Sequence, residues 1–376
     1  MLKRVDELLD KLLELGVPGY TCIIHKDGKR IYERSGGYSD LATRTPMKGD
    51  EVYYMYSCSK MITCTAALML LERGLFSLDD PVSKYMPEIG EIPVAEGDTT
   101  RPAKTVMTVA DLFTMTTGFG YNTVSDEMKE FKRDTDGKCP TALFTKYLSR
   151  IPLAFDPGER FLYSFSHDVL AALVEKLSGV RFSRFVDENI FKPCGMKNST
   201  FDPMNPLRDR VCTQYRRNAE TNAIEPDTNN TFILGTEYES GGAGCISTCE
   251  DFSAFLEALR TYKLLKPETI RMMTTDRVSD RRGTLWMDDY GYGLGVRCPR
   301  ADRDRSDGIF DYGWGGAAGS YLAIDVDNGI SISYTQHVLN SPGIPEKRQI
   351  VRIATEEILG IKLGTGKADE SGVTLA

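Results

Sequence analysis

The stretch SCSKMITCTAALMLLERG, residues 57–74, decides how the chain folds. It opens on small polar residues, continues in good helix formers and ends at Gly74, which closes helices because glycine accepts a left-handed backbone. The pattern predicts a helix from Ser57 to Arg73. On its first turn Ser57 and Lys60 stand three apart and share one face, so the Lys60 amine can reach the Ser57 hydroxyl. A serine hydroxyl is a weak nucleophile until a base takes its proton. A lysine serves as that base when burial and neighbouring cations lower its pKa. The helix N-terminus adds backbone N–H groups that stabilise an oxyanion. Ser-x-x-Lys also arises by chance in a chain of ordinary composition, as an N-terminal helical serine and a surface lysine, so other segments must support it.

Two segments do. In FLYSFSHD, residues 161–168, Tyr163 stands just ahead of an apolar stripe from Phe165 to Leu177 that stops at Ser178 and Gly179. A tyrosine hydroxyl near a lysine loses its proton more easily and acts as base or acid. In GWGG, residues 313–316, two glycines after Trp314 allow close backbone approach by a ligand. Taken singly, Tyr163 reads as a core aromatic and the glycines as a tight turn. Alternating apolar residues at 320–325 and 330–334 around Asn328 and Gly329 predict a β-hairpin. That hairpin excludes a dinucleotide reading of Gly313, Gly315 and Ala318, which would need a helix after the glycines.

Working outward, residues 1–16 predict an amphipathic helix with Val5, Leu8, Leu9, Leu12 and Leu13 on one face. Residues 20–25 and 30–33 flank a Lys-Asp-Gly-Lys turn and predict a second hairpin. Thr108 and Asp111 form a capping-box pair. Further helices are expected at 182–190, 250–259 and 345–359, and residues 291–296 read as strand. Strands therefore sit at both ends of the chain and helices between them. The simplest assembly is an α+β fold, an antiparallel β-sheet flanked by terminal helices with a mostly helical domain inserted. The expected division is 1–60 with 230–360 for the sheet domain, 61–229 for the helical domain, and a flexible tail at 361–376. A site belongs in the cleft between the two.

Composition narrows the chemistry. The 376 residues carry a net charge of −8, which argues against nucleic-acid partners and polybasic membrane attachment. No apolar run reaches the roughly 18 residues of a membrane span. The first helix carries acids within its apolar repeat and makes a poor secretory signal. Nine scattered cysteines, Cys245 and Cys249 among them, then read as reduced thiols in a cytoplasmic protein. The chain has three histidines, His25, His167 and His337. It lacks HExxH, GxxxxGK[ST] and GxSxG, which excludes helix-borne zinc proteases, Walker-type phosphate loops and the α/β-hydrolase elbow. The charged run 300–307 reads as a solvated loop.

Taken in order, Ser57-x-x-Lys60, Tyr163 and Trp314-Gly315-Gly316 resemble the motifs of the penicillin-recognising serine hydrolases. These comprise class C β-lactamases, DD-peptidases and the family VIII carboxylesterases, to which the chain is most similar. Shared segments include Leu78-Asp79-Asp80-Pro81, Phe155-Asp156-Pro157-Gly158 and Gly241-Gly242-Ala243-Gly244, and the resemblance covers residues 5–360. It implies a β-lactamase/transpeptidase-like fold with Ser57 as the acylated nucleophile. Lys60 would deprotonate Ser57 or hold Tyr163 as phenolate. Tyr163 would relay protons to the leaving group, and the N–H groups of Ser57 and Ala317 would form the oxyanion hole. No metal or organic cofactor is implied.

Two departures bear on substrate. Trp314 and Gly315 stand where the lactamases carry Lys-Thr, so no cation is offered to a substrate carboxylate. Phe165 stands where the second motif carries Asn. Both changes favour a neutral, apolar ester, and hence a carboxylesterase acting on small short-chain esters. Trp314, Gly315, Gly316, Phe165 and His337 are expected to line the substrate site, with His167 structural and Trp286 and Tyr290 as further wall residues. The alternatives are a β-lactamase, a D-amino-acid amidase or peptidase, an acyltransferase, or a penicillin-binding sensor that does not turn over.

Overall fold

The computed structural model describes residues 2–227, 230–285, 287, 289–302 and 310–363. Trp286, most of the charged run at 300–307 and the tail beyond 363 lie outside the described residues. One sheet of eight strands organises the chain. Its order is Tyr290–Tyr292, Arg297–Pro299, Tyr312–Gly315, Tyr321–Asp325, Ile330–Gln336, Gly19–Lys26, Lys29–Asp40 and Thr45–Pro46. All its pairings are antiparallel. The N-terminal hairpin turns through Asp27 and Gly28, both with positive φ (50° and 79°). That geometry matches the twist of the flanking strands. Its first strand pairs with Ile330–Gln336, Tyr20 opposite Gln336 and Lys26 opposite Ile330, so the two ends of the chain meet in the sheet.

Each face of the sheet buries a different layer. On one, the helices Lys3–Glu14 and Ile344–Leu359 cover Tyr20, Ile24, Ile332 and Tyr334 with Val5, Leu9, Leu12, Ile350 and Ala354. On the other, the helix Cys249–Arg260 lies against the strands, with Cys249 Sγ 3.4 Å from Ser333 Oγ. The core beyond it continues into the helices Ser59–Glu72 and Ser166–Ser178. At about 1.5–3 kcal/mol for each fully buried large apolar side chain, these layers dominate stability. Among the described residues no helix is long and apolar enough to cross a membrane.

Several local expectations need correction. Residues 291–296 do not form one strand. The chain pairs at Tyr290–Tyr292 and Arg297–Pro299 and turns between them. A Cβ on Gly293 would sit 2.1 Å from Met273 O, and one on Gly295 2.1 Å from Cys64 Sγ. The glycines are there for close approach, not for strand pairing. The helix expected from Ser57 begins instead as a tight 3-10 turn at Tyr56–Cys58 and becomes α-helical at Ser59. The helix expected over 182–190 ends at Val186 and widens into a π-type turn over Asp187–Phe191. The helical region also carries short strand pairs, Val94–Glu96 with Thr99–Arg101 and Tyr215–Arg217 with Ile224–Pro226.

Candidate active site

The backbone turns sharply just before Ser57. Tyr56 adopts a left-handed conformation (φ 45°), a strained choice for a bulky residue. Its buried ring is held against Phe232, with ring centroids 5.9 Å apart. Met55 N–H donates to Cys245 O, and Cys245 N–H donates to Ser59 Oγ, each at 3.0 Å. These bonds fasten the start of the Ser59–Glu72 helix to the segment 240–245. Ser57 sits in the first turn, where backbone N–H groups lack partners within the helix.

Lys60 is fully buried. Its Nζ lies 3.3 Å from Ser57 Oγ and donates to Gly242 O at 2.7 Å. It also stands 4.5 Å from the Tyr163 ring centroid and 5.2 Å from that of Tyr121. The Tyr163 hydroxyl donates to Ser57 Oγ at 2.5 Å. Trp314 stacks on Tyr163 with centroids 6.1 Å apart, and its Nε1 donates to the Tyr163 hydroxyl at 3.5 Å. Tyr292 meets Trp314 edge-on at 5.0 Å. The Ser57 hydroxyl is thus in direct reach of both the Lys60 amine and the Tyr163 phenol, so a proton can pass to or from it without an intervening water.

The opposite wall comes from the far end of the chain. Gly316 N–H donates to Ser320 O at 2.8 Å and Gly319 N–H to Gly316 O at 2.9 Å, making a tight turn. A Cβ on Gly316 would lie 2.5 Å from Met55 O. Only glycine lets this turn seat against the backbone that leads into Ser57, and the turn carries half-buried Ala317 with it.

Behind Lys60 lies a buried carboxylate that no motif announced. Asp168 Oδ1 accepts from Ser240 Oγ at 2.6 Å, the Tyr238 hydroxyl at 3.0 Å and Gly242 N–H at 3.3 Å. Burial raises its pKa, while the three donors and the charge on Lys60 oppose that. Its Oδ2 and the Tyr121 hydroxyl are buried without a hydrogen-bond partner among the described residues. The adjacent His167 is fully buried, with Nε2 3.1 Å from Phe113 O. Burial, helped by the Lys60 charge, pushes its pKa down to about 3, so it stays neutral.

The structure brings Ser57, Lys60, Tyr163, Trp314 and the Gly315–Ala317 turn together, and leaves two expected lining residues out. His337 is buried against Tyr53 and Tyr215, with Nδ1 2.6 Å from Thr213 O. The chain leaves the large sheet there to pair Val338 with Tyr215, which turns the imidazole into that layer. Phe165 is 2% exposed and packs into the core against Phe144 and the edge of Tyr121. Tyr121 stands between Phe165 and the Tyr163–Lys60 pair. Tyr290 donates to Asp311 Oδ1 at 2.7 Å and serves the sheet edge. Asp168 could have been sought from its place five residues after Tyr163, and Gly242 from the glycine-rich segment 241–244; Tyr121 carried no signal. No group of three or more His, Cys, Asp or Glu among the described residues is arranged to hold a metal.

Known proteins resemble this chain. Esterase EstB of Burkholderia gladioli is 28% identical over 363 residues, covering 88% of each chain. Acyltransferase calJ of Penicillium decumbens is 30% identical over 275 residues, 67% of this chain and 63% of that protein. EstCE1, described as a hydrolase with promiscuous acyltransferase activity, superimposes with a TM-score of 0.78 over 93% of this chain and 97% of its own. At 24% identity that likeness speaks for the fold alone. The family model named Beta-lactamase matches residues 5–355, nearly the whole described chain, and with these relatives it shows that the protein belongs to the beta-lactamase family of serine-hydrolase type.

Proposed function

We propose that the protein is a carboxylesterase that hydrolyses small, neutral, short-chain esters through an acyl-enzyme on Ser57. The observation that carries this reading is that Ser57 Oγ lies within reach of both Tyr163 and Lys60 while an indole occupies the third corner. Tyr163, as the phenolate that the Lys60 ammonium holds, takes the Ser57 proton as Oγ attacks the ester carbonyl. The new C–O bond forms, and the oxyanion rests on the N–H groups of Ser57 and Ala317. As the carbonyl re-forms, the bond to the alkoxy group breaks and Tyr163 returns the proton to the leaving oxygen. Water then repeats the sequence on the acyl-enzyme and releases the acid. Trp314 offers no cation to a carboxylate, which disfavours anionic β-lactams and carboxylate-terminated peptides.

The same acyl-enzyme passes its acyl group to an alcohol or amine where water is kept out. The aromatic cover of Tyr163 by Trp314 and Tyr121, together with relatives named as acyltransferases, supports that second reading. One assay separates the readings: turnover of p-nitrophenyl acetate and butyrate beside nitrocefin, with and without an added alcohol. Ester turnover well above nitrocefin turnover, reduced by about 10⁴-fold or more in Ser57→Ala, is the expected result. Product shifting from acid to the acylated alcohol selects the transferase. Dominant nitrocefin turnover replaces the esterase reading with a lactamase, and an undiminished rate in Ser57→Ala removes Ser57 from the mechanism.

A further inference from the structure

We infer that Asp168 is a positioning residue for this site: its buried carboxyl group fixes the segment 238–242 so that the Gly242 carbonyl aims Lys60 at Ser57. The inference rests on the reading of Ser57, Lys60 and Tyr163 given above. Three donors converge on Asp168 Oδ1, all from Tyr238, Ser240 and Gly242. Gly242 is the shared piece, because its N–H faces Asp168 while its carbonyl accepts from Lys60 at 2.7 Å. The neighbouring Gly241 carbonyl accepts from Thr63 Oγ1, also at 2.7 Å, one turn along the helix from Lys60. A shift of this segment would therefore carry the Lys60 amine with it. The fit is close: a Cβ on Gly242 would lie 2.6 Å from both Asp168 Oδ2 and the Tyr121 hydroxyl.

The surroundings of Lys60 single out the same carboxyl group. Ser57 and Tyr163 lie on the reaction side, Tyr121 flanks, and Cys58 and Cys64 belong to its own turn and helix. The Ser166–Ser178 helix contributes His167, held neutral, and Asp168. Asp168 is the one carboxyl group in that set, and the Gly242 peptide links it to the Lys60 amine.

The test is the rate of Ser57 labelling by a fluorophosphonate probe, alongside kcat and KM measured separately on p-nitrophenyl acetate. Circular dichroism checks that each variant is folded. Asp168→Ala removes the side-chain acceptor for the 238–242 segment. The expected result is labelling and kcat slower by about 10-fold or more with KM little changed, as the Gly242 segment loosens, and with activity partly restored in Asp168→Asn, which keeps one acceptor oxygen. A labelling rate and kcat unchanged from wild type overturn the inference. Ser240→Ala covers the case in which the Asp168 variants do not fold, because it cuts one anchor only. It should slow labelling, and an unchanged labelling rate overturns the positioning role. A wild-type protein whose Ser57 takes no label refutes the underlying reading as well, an outcome distinct from a labelled wild type with an insensitive variant.

Discussion

The helices Lys3–Glu14 and Ser59–Glu72 are of similar length and hold their places by different means. The first buries one stripe, Val5, Leu8, Leu9 and Leu12, and puts its bonds to other elements at its part-exposed flanks, Asp6 accepting from Tyr32 and Arg34, and Arg4 donating to Glu356. The hydrophobic effect is enough to fix its rotation, because turning it would expose the stripe. The second is buried all round from Ser59 to Leu70, so apolar burial gives it no preferred rotation. Polar anchors supply it. Ser59 meets Cys245, Lys60 meets Gly242 and Thr63 meets Gly241. The helix proposed to aim the nucleophile thus needs directional bonds for its orientation, while the one that covers a sheet is oriented chiefly by area.

Gly242→Ala tests the comparison hardest. Its Cβ would strike Asp168 and Tyr121, and the anchoring segment must move. Ester turnover should fall by about 10²-fold or more, since small misplacements at a reacting centre cost that much. Undiminished kcat/KM would mean that the anchors do not aim the helix. Leu9→Ala, on the fully buried stripe, should lower the unfolding free energy by about 2–5 kcal/mol. Urea titration reads that loss, and kcat of the folded fraction should stay at the wild-type value. Thr63→Val should do the reverse, costing only about 1–3 kcal/mol of stability for the unpaired Gly241 carbonyl but lowering kcat. If Leu9→Ala slows turnover as much as Thr63→Val does, the distinction between the two helices fails.

An effect confined to stability and leaving turnover untouched concerns Lys347, a buried lysine on the closing helix whose pKa burial pushes down to about 7 from its usual 10.5. The folded state prefers the amine, so the unfolded chain binds the proton more tightly. Stability is full above pH 10.5 and is lost as pH falls toward 7. Lys347→Met should raise Tm at pH 7 by about 5 °C and flatten its dependence between pH 7 and 10. An unchanged thermal profile across that range would deny the cost of this burial.

The sequence was readable where one physical cause acted alone. The stripe of the first helix, the turn at Asp27 and Gly28, and the capping box at Thr108 and Asp111 all stand as their local patterns predict. The three motif segments meet as their order implied. Where tertiary contact decided the outcome, local pattern misled. Gly293 and Gly295 looked like strand residues and are close-approach points. Phe165 looked like a motif position and is core, while Tyr121 faces Lys60 with nothing in its surroundings to mark it. His337 ends a strand beside the third motif in sequence, yet the exchange of sheet partners at Val338 takes its ring elsewhere. Asp168 lay in plain view, but its three donors come from residues 238–242, a partnership that no local window contains.

The seating of Gly316 against the Met55 carbonyl has a consequence for how activity arises during synthesis. In the proposed mechanism the two halves of the oxyanion site, Ser57 and Ala317, come from residues more than half the chain apart. The second half rides on a hairpin whose last strand pairs with the N-terminal strand. Under that mechanism a growing polypeptide holds a serine, a lysine and a tyrosine long before it holds a place for the oxyanion, and catalysis switches on only when the last long-range closure is made. The proposed ester turnover would then report the completion of folding, appearing with the final strands rather than with the nucleophile.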